Sequence, residues 1–126
     1  MPVETNSRLL IIEDDQDGQE VMATILSHLR LSYDVAGNAA EAEHFLYSSG
    51  QQYAAAIVDL ALPDKDGWQI LEGIRNDAQI GDLPCIAVTA FHTSRLREEA
   101  LQAGFDAYFA KPVDTTSFAR ALENLR

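Results

Sequence analysis

With 126 residues, 47% of them hydrophobic and 23% charged, the chain has the make-up of one globular domain around one core. A formal net charge of −11 argues against direct nucleic-acid binding, because neutralising phosphates needs a basic surface. No apolar stretch approaches the ~20 residues of a membrane span, and the N-terminus lacks the basic start and apolar centre of a signal peptide.

Met1–Ser7 reads as a flexible lead-in, which leaves 8–126 as the domain. Leu9-Leu10-Ile11-Ile12 is an uninterrupted apolar run that stops at Glu13-Asp14-Asp15, the pattern of a strand buried on both faces. Asp17 followed by Glu20 predicts a capped helix with Val21, Met22, Ile25, Leu26 and Leu29 as its core stripe. Ser32–Ala36 alternates polar and apolar, which predicts a half-exposed edge strand. Asn38 and Glu41 suggest a second cap, Ala42, Phe45 and Leu46 give a short apolar face, and Ser48-Ser49-Gly50 ends that helix. The run Ala54–Val58 is a third strand, broken by Asp59 and a turn containing Pro63, Asp64 and Asp66. Gly67 opens a helix with Ile70, Leu71 and Ile74 on one face. Pro84–Val88 is a fourth strand ending in Thr89, and Cys85 within it reads as a buried structural thiol. A lone cysteine forms no internal disulfide, in keeping with a reducing, cytoplasmic setting. Thr93 or Ser94 caps a helix carrying Leu96, Ala100 and Ala103, which Gly104 stops. Ala107–Ala110 is a short fifth strand ending in Lys111-Pro112, and Asp114 caps a last helix with Phe118, Leu122 and Leu125 on its inner face.

Strand and helix alternate five times, which predicts an α/β fold with a doubly wound, five-stranded parallel sheet and helices on both faces. The alternating second strand belongs at an edge, favouring the flavodoxin-like order 2-1-3-4-5. That order brings strands one, three, four and five side by side. Their carboxyl ends then deliver Glu13, Asp14, Asp59, Thr89 and Lys111 to one crevice. Three crowded carboxylates call for a cation, and Mg2+ (or Mn2+) binds few carboxylates while keeping affinity for phosphate oxygens. A lysine and a threonine opposite suit a phosphoryl group, whose transfer rests on positioning and charge neutralisation. An aspartate can itself be the nucleophile.

Four stretches, Ile11–Asp15, Asp59–Gly67, Val88-Thr89-Ala90 and Tyr108–Pro112, closely resemble the receiver domain of bacterial two-component response regulators, CheY-like in form, from Arg8 to Leu125. The resemblance implies that Asp59 is the phosphoacceptor and that Glu13 and Asp14 are the acidic pair at the metal, Asp14 more directly. It implies a third protein ligand in the Ala61 backbone carbonyl. Thr89 and Lys111 would contact phosphoryl oxygens, Tyr108 would change rotamer on activation, and the Lys111-Pro112 bond would be cis. Asp15 either touches the metal's waters or is only a loop acid. Asp64 and Asp66 hint at a calcium loop, but Leu62 and Gly73 stand where an EF-hand needs acids. His28, His44 and His92 are scattered and expected at the surface. The resemblance implies that Ala61 and Phe91 flank the phosphoryl position, and neither side chain can orient a water; Phe91 either shields the phosphorus or points outward as part of a partner surface.

The function implied is a phosphorylation-controlled switch rather than an enzyme. A histidine kinase or histidine phosphotransfer protein would donate the phosphoryl group, and output would pass to a protein partner through an altered binding face. The switch would act as a monomer or a weak phosphorylation-dependent dimer. The alternatives are a receiver excised from a larger regulator or hybrid kinase, a receiver-like module that never carries phosphate, and a small magnesium-dependent phosphohydrolase. Ala61 argues against the last, because such hydrolases commonly hold a second acid at that place.

Overall fold

The computed structural model describes residues 8–62 and 65–124. The expected lead-in Met1–Ser7, the turn residues Pro63 and Asp64, and Leu125 lie outside the described residues. The strands are β1 (Arg8–Ile12), β2 (Ser32–Ala36), β3 (Ala55–Asp59), β4 (Cys85–Thr89) and β5 (Ala107–Ala110). The helices are α1 (Gln16–His28), α2 (Ala39–Glu43), α3 (Gly67–Arg75), α4 (Ser94–Ala103) and α5 (Thr115–Asn124). All pairings are parallel and the sheet order is β2-β1-β3-β4-β5, as the strand patterning predicts. No helix among the described residues is long and apolar enough to cross a membrane.

The continuous apolar runs are explained by a layer of helices on each face of the sheet. Leu10, Ile12, Ala56, Val58 and Ala87 point to the side covered by α2, α3 and α4, where Ile70, Leu71 and Ile74 pack. Leu9, Ile11, Ala55, Ile57 and Ile86 point to the other side and meet Met22, Ile25 and Leu26 of α1 and Phe118 and Leu122 of α5. Val21, expected in the core stripe, is instead 50% exposed, because it lies at the margin of the α1 face that Met22, Ile25 and Leu26 turn to the sheet. Cys85 is fully buried, and burial pushes its thiol up to about 12.

Polar side chains close the helix starts. Asn38 accepts from Glu41 N at 2.8 Å, Thr93 from Leu96 N at 3.0 Å and Asp114 from Ser117 N at 2.8 Å. Asp66 and Gln69 form a reciprocal capping box at α3. The expected cap of α1, Asp17, is displaced by Asp15. Asp15 is the last extended residue before Gln16, and its carboxylate accepts from Gly18 N at 2.9 Å. The second helix also departs from expectation. After Glu43 it widens into a π-helical turn over His44–Ser48, for which the apolar spacing gives no sign.

Arg75, which the apolar pattern leaves unremarked, staples the far end of the sheet. Its guanidinium donates to the carbonyls of Gly81, Leu83 and Gly104 at 2.7–2.9 Å and to Asp106 Oδ2 at 3.1 Å. Asp106 Oδ2 also accepts from Cys85 N at 2.9 Å. Gly104, at φ 120°, supplies the left-handed turn that brings its carbonyl there. Arg75→Ala removes the guanidinium donor from three carbonyls and leaves the Asp106 carboxylate with only its bond from Cys85 N, and charge-assisted bonds of this kind are worth about 1.5–3 kcal/mol each when enclosed. With a quarter of the side chain exposed, the expected net loss is about 2 kcal/mol, read as a lower urea midpoint with unchanged slope.

Candidate functional site

β1 and β3 run side by side, so the residues at and just past their carboxyl ends share one edge of the sheet. Asp59 ends β3 and is buried; Glu13 follows β1 and is buried; Asp14 beside it is exposed. One carboxylate oxygen from each of the three lies within 4.8 Å of the others. That clustering of hard oxygen donors fits a divalent cation such as Mg2+, which takes a few carboxylates and fills its remaining positions with water. Asp15 is not in the cluster, since capping α1 occupies its carboxylate. Nor do the three histidines approach it; all are exposed.

Lys111 supplies the opposing charge. It follows β5, and its peptide bond to Pro112 is cis. Its backbone N donates to Thr89 O at 2.9 Å, which seats the side chain over the cluster. The ammonium pairs with Glu13 Oε1 and lies 3.4 Å from Asp59 Oδ2. Asp59 Oδ1 meanwhile accepts from Ala61 N at 3.0 Å. The expected phosphoryl contact of Lys111 is thus occupied by Glu13 in this arrangement. Thr89 is buried, and its hydroxyl oxygen accepts from Phe91 N at 3.1 Å.

Burial drives the Glu13 carboxyl up to about 7, and contact with Asp59 adds to the rise; the Lys111 ammonium opposes both. Lys111 is itself desolvated, which works against its charge, but Glu13 and Asp59 outweigh this and hold it above the usual lysine range. A carboxyl raised in the folded state binds its proton more tightly there than in the unfolded chain. Its stabilising effect is complete below the unfolded value near 4.5 and is lost as pH rises through about 7. The chain without divalent cation is therefore expected to lose stability between pH 5 and about 7.5. Glu13→Gln should flatten that slope in thermal melts across the range.

Two glycines make the geometry possible. A Cβ on Gly18 would sit 2.5 Å from Glu13 Oε1, so glycine in the first turn of α1 leaves room for that carboxylate. A Cβ on Gly67 would sit 2.7 Å from Asp59 O and 2.9 Å from Leu60 Cα, at the point where β3 leaves the sheet. The apolar pattern of α1 gives Gly18 no role, although an isolated glycine inside a helical pattern is a signal of this kind. A cleft of about 330 Å3 opens beside Glu13 and Lys111, floored by Ile11, Ile57 and Val88 and walled by Met22 and Val113.

Comparison with known proteins gives this edge its context. The family model for the response regulator receiver domain matches residues 9–123. The chain belongs to the response regulator receiver domain family. An uncharacterised 14.6 kDa protein of Leptolyngbya boryana is 30% identical over 115 residues, covering 91% of this receiver and 86% of that protein. The transcriptional regulatory protein PmrA of Pectobacterium parmentieri is 38% identical over 109 residues, 86% of this receiver. The match covers 47% of PmrA, so the receiver spans about half the length of that regulator. Among solved structures, the receiver domain of sensor histidine kinase PA1611 from Pseudomonas aeruginosa PAO1 superposes with a TM-score of 0.84 at 29% identity, covering 95% of this chain and 97% of that one. That structure has a magnesium ion coordinated in its active-site cleft.

Two further residues singled out by the resemblance are Tyr108 and Phe91. Tyr108, expected as the switch aromatic, is partly exposed, and its hydroxyl is 2.9 Å from His92 Nδ1. Sequence placed His92 at the surface, as found, but offered nothing to indicate this bond across 16 residues. Phe91 is 73% exposed. The ring therefore points to solvent rather than over the phosphoryl position.

Proposed function

We propose that Asp59 accepts a phosphoryl group from the phosphohistidine of a histidine kinase or phosphotransfer protein. The observation that carries this is the Asp59 carboxylate, buried at the carboxyl edge with one oxygen fixed by Ala61 N and the other facing the Lys111 ammonium. A carboxylate oxygen attacks phosphorus, the phosphorus–nitrogen bond of the donor breaks, and its electron pair returns to the imidazole. Glu13, Asp14, Asp59 and the Ala61 carbonyl would hold Mg2+, which supplies positive charge against the phosphoryl oxygens. Lys111, on leaving Glu13, pairs with one phosphoryl oxygen, and the Thr89 hydroxyl donates to another. The added charge and acceptor oxygens draw in the loop after Thr89, and the face of α4, β5 and α5 changes for a downstream partner.

The test is incubation with Mg2+ and acetyl phosphate, read by intact mass. A gain of one phosphate that disappears in Asp59→Asn supports the proposal. No gain would favour a module that never carries phosphate, and continuous phosphate release a hydrolase.

The lifetime of phospho-Asp59 follows from the same geometry. Hydrolysis needs water attacking in line, and a polar side chain that holds the water speeds it, as glutamine does in small GTPases. Ala61 offers no polar atom, and the Phe91 ring faces solvent. Phospho-Asp59 is expected to outlast that of Ala61→Asn/Phe91→Glu by about tenfold or more. Phosphate loss measured with Mg2+ present decides it; equal rates would refute the expectation.

A further inference from the structure

The loop from β4 to α4 is short and held at both ends. Thr89 is buried in the sheet, paired with Ala110, and its hydroxyl oxygen accepts from Phe91 N. Four residues later Thr93 caps α4 through Leu96 N. Between these anchors His92 reaches across to β5. Its Nδ1 is 2.9 Å from the Tyr108 hydroxyl, and the rings pack at 5.5 Å between centroids, tilted by 48°. Tyr108 itself pairs with Ala87, two residues before Thr89, so its backbone is set by the sheet and only its side chain is free to follow the loop.

We propose that His92 is a positioning residue that couples the Thr89 loop to Tyr108. This rests on the phosphoacceptor reading of Asp59. When the Thr89 end of the loop moves, the fixed cap at Thr93 confines the displacement to the residues between, and His92 carries it to the Tyr108 hydroxyl. Either neutral tautomer of His92 serves, because a hydroxyl both donates and accepts. The bond is exposed, and a neutral hydrogen bond of this kind biases a two-state side chain by only about threefold.

The experiment follows Thr89 amide and Tyr108 ring resonances as Mg2+ and beryllofluoride are added to the parent, His92→Ala and His92→Asn. The parent is expected to shift both signals. His92→Ala should keep the Thr89 shift and reduce the Tyr108 response about threefold, and asparagine, whose amide also donates and accepts, should restore it. A Tyr108 shift in His92→Ala equal to the parent's overturns the proposal, as does an asparagine variant no better than alanine. A parent in which neither signal moves overturns the phosphoacceptor reading itself, and the coupling with it.

Discussion

Gly67→Ala is expected to destabilise the receiver by about 3 kcal/mol and slow phosphoryl acceptance by roughly tenfold or more. On propensity alone the change should help, since alanine in a helix is favoured over glycine by about 1 kcal/mol. Sterics decide against it. The new Cβ would lie 2.7 Å from Asp59 O and 2.9 Å from Leu60 Cα, both backbone atoms that cannot rotate away. Either α3 lifts from β3, exposing Ile70 and Leu71, or the end of β3 shifts and takes the Asp59 carboxylate with it. Urea unfolding reads the first cost, and the rate of mass gain with acetyl phosphate reads the second. A variant at least as stable as the parent would mean that the β3–α3 turn relaxes freely.

Lys111→Ala should impair both switch and fold. The Lys111 ammonium compensates two buried carboxylates, Glu13 and Asp59. Removing one partner of a fully buried pair costs about 3–5 kcal/mol. The Lys111 side chain is 26% exposed, so water screens part of this and about 2 kcal/mol is expected near pH 7.5. The variant should recover part of that loss at pH 5.5. Without the lysine the main opposition to the upward push on the Glu13 carboxyl is gone, and the group takes up a proton more readily and sheds its charge. Amide shifts induced by beryllofluoride should be largely lost while the dispersion of a folded chain remains. A Lys111→Ala protein with the parent's full response would remove Lys111 from the mechanism.

The amino-acid order by itself determined the sheet. Continuous apolar runs at Leu9–Ile12, Ala54–Val58 and Pro84–Val88 can be buried only between two helical layers, and the alternation in Ser32–Ala36 suits only an edge. Strand ends in a parallel sheet share one edge, so the strand order alone brings Glu13, Asp14, Asp59, Thr89 and Lys111 together. What only the tertiary structure decided concerns partners far apart in the chain and side-chain direction. Glu13 and Lys111 are 98 residues apart, and their pairing depends on how β1 and β5 flank β3 and β4. The seat of the α1 cap at Asp15, the exposure of Val21 and the outward turn of Phe91 each depend on an angle about a strand or helix axis that residue type does not specify. The His92–Tyr108 bond and the Arg75 staple also join residues of different elements, whose approach is set by the packed sheet beneath them.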